Sequence, residues 1–130
     1  MIDIRDAVVT DLPAINTVID AAIKTWDLPA RVIRLSLPSY HYNESDLQHL
    51  SMIVAEQDNC VIAVAAWEKA DIYEVDDDIN AALLHGIYVA PEFQSKGVGR
   101  QLFNHVEKVA MKAGYESLIV KAQKQANGFS

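Results

Sequence analysis

The segment Gln94-Ser95-Lys96-Gly97-Val98-Gly99-Arg100 sets two glycines and two cations where an apolar helical pattern begins. The start of a helix leaves backbone N–H groups without intrahelical acceptors, and the aligned peptide dipoles add positive potential there. Glycine lets a ligand approach the main chain closely. Lys96 and Arg100 add charge at the edge. Such a segment suits a phosphate or pyrophosphate. It is not a Walker loop, which has a longer spacing and a Lys-Ser/Thr pair after its last glycine. Nor is it the dinucleotide fingerprint, whose three glycines follow the first strand of a parallel unit.

His85 is the second residue with chemical potential. It lies in the run Ala82-Leu83-Leu84-His85-Gly86-Ile87-Tyr88-Val89, just upstream of the glycine loop. Imidazole titrates near neutrality, which suits a general base; a ring simply packed against a sheet is the alternative. His41, His49 and His105 show no metal-ligand spacing, and His105 is expected to face solvent. Cys60, the sole cysteine, excludes an internal disulfide and a cysteine-rich zinc site. It reads as a buried or half-buried thiol rather than a nucleophile.

These residues need elements to position them. Ile2-Asp3-Ile4-Arg5 alternates as a short strand does. Thr10 or Asp11 can cap a helix with Pro13 in its first turn, and Leu12, Ile15, Val18, Ile19, Ala22, Ile23 and Trp26 give it one apolar face. Pro29 is expected to end that helix. A second helical region leads to Pro38, and Asn43 or Ser45 can cap a turn carrying Leu47 and Leu50. Residues 52–56 and 61–67 read as an antiparallel hairpin joined by Gln57-Asp58-Asn59. The acidic stretch Asp71 to Asn80 reads as an exposed loop, followed by the strand that carries His85. After the glycine loop, Leu102, Phe103, Val106, Val109 and Ala110 make the stripe of a helix that Gly114 ends. Ser117-Leu118-Ile119-Val120 follows as a strand parallel to the previous one through a right-handed crossover.

A chain of 130 residues with 51% hydrophobic and 22% charged residues is expected to form one domain, spanning residues 1–130, with a real core. Its formal charge of −7 argues against general nucleic-acid binding and agrees with a cationic partner. No apolar run is long enough to cross a membrane, and Met1 to Asp6 lacks the features of a secretory signal. The chain is therefore expected to be cytoplasmic.

Gln94-x-x-Gly97-x-Gly99 resembles the Gln/Arg-x-x-Gly-x-Gly/Ala motif of the GNAT superfamily of N-acetyltransferases. Gly86 to Phe93 is similar to that family's fourth strand and the turn after it, and the order of elements follows the family over most of the chain. The resemblance implies a mixed α+β fold, a three-layer α/β/α acyl-CoA N-acyltransferase domain. It implies acetyl-CoA as cosubstrate, with the pyrophosphate near Gln94, Ser95, Lys96, Gly97, Val98, Gly99 and Arg100. It places pantetheine and the acetyl group near Ile87, Tyr88 and Val89, with the Val89 N–H polarising the acyl carbonyl. It implies direct attack by a primary amine, of a small molecule or a protein, with His85 near the position where many relatives carry a glutamate base.

The same resemblance sets Ser130 where a tyrosine acid often stands, after Ala126-Asn127-Gly128-Phe129, and Gln123 where an asparagine is common. Tyr88 and Tyr40 are alternative acids, as is water. The family's last helix and closing strands have no counterpart in the sequence. The strand at 118–120 is then expected to be an open edge that a second copy covers, giving a homodimer. A catalytically weak acetyl-CoA-binding or regulatory module is the alternative function, and a purely structural domain the third. Acceptor choice is expected to lie in Arg31 to Gln48 and the acidic loop.

Overall fold

The computed structural model of the chain describes residues 2–70 and 80–120. Five strands form one sheet in the order β1-β2-β3-β4-β5. They are β1 (Asp3–Asp6), β2 (Ser51–Gln57), β3 (Cys60–Lys69), β4 (Ala81–Val89) and β5 (Ser117–Val120). The first four pair antiparallel, and β5 runs parallel to β4. Helices α1 (Leu12–Ile23), α2 (Ala30–Tyr40), α3 (Glu44–His49) and α4 (Val98–Lys112) complete the fold. Short 3-10 turns precede α1 and the glycine loop.

Strand alternation divides the sheet into two faces. Ile53, Ala55, Ala63, Ala65, Leu84 and Val89 pack against Val98, Leu102, Val106 and Ala110 of α4. Val54, Val64 and Tyr88 point the other way, against Ile15, Ile19 and Ile23 of α1 and Ile33 of α2. The result is the expected three-layer α/β/α arrangement. Small residues in mid-β3, Ala63 and Ala65, sit at zero exposure under α4 and let that helix come close.

Turn chemistry agrees with local sequence. Asp58 and Asn59 both adopt positive φ, at 53° and 66°, which makes a tight turn matched to strand twist. At the end of α4, Gly114 takes φ 98°; its N–H reaches the Met111 carbonyl at 3.0 Å and the Tyr115 N–H reaches that of Ala110 at 3.1 Å. This is a Schellman closure. It delivers the chain to β5, where Glu116 N–H bonds to the Asn80 carbonyl at 2.7 Å.

Several boundaries differ from expectation. Helix α1 stops at Ile23, well before Pro29, and Trp26 sits in the following turn with its ring edge-on to Tyr40 at 5.4 Å. Pro29 instead begins α2. That helix continues through Pro38 to Tyr40, because Pro38 lies in its last turn and removes only one backbone bond there. Beyond it, Asn16 clamps Tyr42: its Nδ2 donates to the Tyr42 carbonyl and its Oδ1 accepts from the Tyr42 N–H, both at 2.9 Å. Asp11 takes the N-cap position of α1 as expected, but its side chain makes no cap bond there; it accepts from Val8 N–H at 2.8 Å and from Arg5. Cys60 is exposed, contrary to the buried or half-buried thiol expected, because it opens β3 at the hairpin turn opposite Gln57. His105 is half-buried rather than facing solvent. Gln123, Ala126, Phe129 and Ser130, and the acidic stretch up to residue 79, lie outside the described residues.

Candidate functional site

The site begins with a change of register in the centre of the sheet. Ala66 pairs with Gly86 but Trp67 pairs with Leu84, so His85 is the extra residue of a β-bulge in β4. A bulge bends its strand and increases local twist. Pairing between β4 and β5 covers Ala81 to Leu84, up to Val120, the last described residue of β5. Past the bulge, β4 keeps β3 on one side through Val89.

Hydrogen-bond alternation tells which main-chain groups face the other side. Ala90 N–H donates to the Ile62 carbonyl at 2.8 Å, which makes that a bonded pair. In an antiparallel ladder, bonded and non-bonded pairs alternate. The Val64–Tyr88 pair is therefore bonded, whereas the N–H and C=O of Ile87 and Val89 point away from β3. The Val89 carbonyl is taken by Gln94, whose Nε2 donates to it at 3.1 Å. Gln94 thus ties the glycine loop to the end of β4. The Tyr88 main chain turns toward β3, and its ring is buried on the α1 face.

The loop then turns twice through left-handed backbone, at Ser95 with φ 71° and Gly97 with φ 80°. Gly97 is the N-cap of α4 and supplies no side-chain cap. The first helical bond runs from Gln101 N–H to the Gly97 carbonyl at 3.0 Å. The N–H groups of Val98, Gly99 and Arg100 precede it and so have no acceptor within the helix. A Cβ placed on Gly97 would find no atom within 4 Å, so the space before the helix start is open. Lys96 lies with Nζ 5.6 Å from the centre of the Phe93 ring, and Arg100 is exposed. Amides, dipole and open space fit an anionic group with a close main-chain approach.

His85 stands in β4 immediately before Gly86, where pairing with β3 resumes past the bulge. Its Nε2 is hydrogen-bonded to Oε2 of Glu68 on β3. The two side chains retain 24% and 40% of their exposure, so the pair is open to a solute. Glu68 carries no motif in the sequence, and its one signal is that it continues the alternation Val64, Ala66, Glu68 as a charge at the end of an apolar strand. The other histidines have separate local uses. His41 Nε2 meets Asp20 Oδ1 at 2.5 Å, and His49 Nδ1 meets the Ser45 carbonyl at 2.7 Å. Tyr42, also unremarked in the sequence, is held well above the usual phenol range by burial first, then by nearby Tyr88 and Asp46. It stays a neutral hydroxyl at physiological pH.

A profile of the Acetyltransferase (GNAT) family matches residues 19–129. The chain belongs to the GNAT acetyltransferase family. Solved structures agree on the fold. The PaiA N-acetyltransferase of Thermoplasma acidophilum, in complex with coenzyme A, matches with a TM-score of 0.81 at 19% identity, over 98% of this chain and 82% of that one. A GCN5-related N-acetyltransferase from Ralstonia eutropha gives 0.76 at 15% identity, over 95% and 85% of the two chains. A GNAT family acetyltransferase from Brucella melitensis, in complex with acetyl-CoA, gives 0.71 at 19% identity, over 95% and 77%. Among proteins of curated function, no sequence matches. This GNAT chain has, among its described residues, no helix long and apolar enough to cross a membrane. The family's cosubstrate is acetyl-CoA, an anionic nucleotide thioester.

Proposed function

We propose that this chain transfers the acetyl group of acetyl-CoA to a primary amine, on a small molecule or a protein, by direct attack. The observation that carries the reading is the juxtaposition of an uncapped α4 N-terminus with the end of β4, where the main-chain groups of Ile87 and Val89 face away from β3. In this reading the amides of Val98, Gly99 and Arg100 hold the diphosphate, with Lys96 and Arg100 at its edge. Gln94 holds the loop against Val89. The outward N–H and C=O of Ile87 pair with the extended pantetheine arm, and the Val89 N–H polarises the thioester carbonyl. Acetyl-CoA supplies the activated acyl group.

His85 accepts the proton of the attacking amine. The amine nitrogen forms the new C–N bond, the C–S bond breaks with its electron pair leaving on sulfur, and solvent protonates the thiolate. A thiolate is a good leaving group, so this path needs no dedicated protein acid. The proposal includes a homodimer that pairs through β5, the terminal strand of the described sheet. The exposed Val120 on that strand supports it.

Release of coenzyme A, followed against a panel of amines, tests the activity. Turnover with at least one amine is expected, and His85→Ala should lower kcat by about 100-fold or more. Binding of acetyl-CoA with no turnover, unchanged in His85→Ala, would instead favour a cofactor-binding module without catalysis.

A further inference from the structure

We infer that Glu68 is the positioning residue for His85, fixing which ring nitrogen carries the lone pair. The inference rests on the proposed base role of His85 and adds a second residue to it. Its source is geometry. Glu68 pairs with Leu83 and Trp67 with Leu84, so the bulge inserts His85 diagonally across from the Glu68 carboxylate. The Glu68 Oε2 then meets His85 Nε2 within hydrogen-bond reach.

A neutral imidazole has one N–H and one lone pair, and a carboxylate is only an acceptor. With Nε2–H donated to Glu68, the basic nitrogen is Nδ1. When Nδ1 takes the amine proton, the ring becomes an imidazolium with a carboxylate already in contact. The existing hydrogen bond then becomes charge-assisted at the moment that charge develops. Glu68 thus acts on the transition state through His85 and touches neither substrate. Its partial exposure argues against a packing role, because the side chain fills no core position.

Two readouts test this. Long-range proton–nitrogen NMR of the neutral His85 ring should place its proton on Nε2 in the unmodified protein, and give a mixture of both tautomers in Glu68→Ala. This arm requires no acceptor. The second arm measures coenzyme A release with spermidine as probe amine, or with whichever amine of the panel is turned over. Glu68→Gln should lower kcat about tenfold, a smaller loss than that from removing the base itself. The affinity for acetyl-CoA should be unchanged, and Glu68→Gln should have no further effect in a His85→Ala background. A ring protonated on Nδ1 would overturn the proposal, as would a Glu68→Gln loss that persists undiminished without His85. If His85→Ala leaves turnover intact, the base role itself fails and takes this inference with it. If His85→Ala abolishes turnover while Glu68→Gln changes nothing, only the positioning role fails.

Discussion

At the scale of single residues, Gly97 carries the greatest demand. Its φ of 80° is a backbone state that L side chains adopt at a cost, and its absent side chain leaves open space before α4. An alanine there would meet no neighbouring atom within 4 Å. Any loss of stability in Gly97→Ala must therefore come from the backbone, and about 1 kcal/mol is expected from urea unfolding. The added methyl would enter the space assigned to the diphosphate. Acetyl-CoA affinity should then fall by about tenfold, roughly 1.4 kcal/mol. Calorimetric titration of the variant checks this, and an unchanged affinity would move the diphosphate elsewhere. Ser95 adopts a similar φ of 71° without being glycine, so two successive left-handed turns shape the loop. Neither angle was legible in the sequence, although the glycine pair marked the place.

At the scale of elements, β1 is fastened to the turn before α1 by charge. Arg5 spans Asp11 with two bonds, at 2.8 and 2.9 Å, and reaches Glu56 of β2 at 3.2 Å. These bonds hold the Asp11 carboxyl below its usual range, with the Val8 N–H adding to the effect and burial opposing it. An unfolded aspartate titrates near about 3.9. The stability this group contributes is thus complete above that value and is lost as pH falls through its lower folded value. Chemical denaturation across this acidic window should show a steeper loss of stability in the unmodified protein than in Asp11→Asn. Equal slopes would mean that Asp11 is not the group responsible.

The elements also show what sequence patterns can carry. The stripe of α4 and the alternation of β2 to β4 were readable because burial imposes a period on apolar residues. The bulge at His85 was not, since Leu84-His85-Gly86 obeys no alternative period that would mark an extra residue. Glu68 was missed for the related reason that its partner is set by that bulge. The end of α1 was misplaced because Trp26 keeps the helical spacing while its backbone has already left the helix. Proline positions misled in the same way: Pro29 starts a helix and Pro38 rides inside one. The loop and its neighbouring strand were legible; the partner of His85 was not.

At the scale of the whole molecule, the sheet separates two tasks. The α4 face packs the helix whose start is proposed to grip the nucleotide. The α1 face carries Tyr88, with Tyr42 packed beside it, and the clamped α2–α3 connection. Strand β4 belongs to both, and its bulge sets His85 where the two substrates are proposed to meet. Strand β5 ends the described sheet, and the proposed dimer through it predicts twice the monomer mass in light scattering. A monomeric mass at micromolar concentration would reject that assembly without touching the cofactor assignment.

The cofactor assignment is tested most directly by titrating acetyl-CoA into nitrogen-15-labelled protein and following the backbone amides. The account predicts that Val98, Gly99 and Arg100 show the largest shifts, with Val89 also moving, and that pantetheine without the diphosphate leaves the α4 amides still. Acetyl-CoA that binds while those three amides keep their positions, or that fails to bind at millimolar concentration, would contradict it.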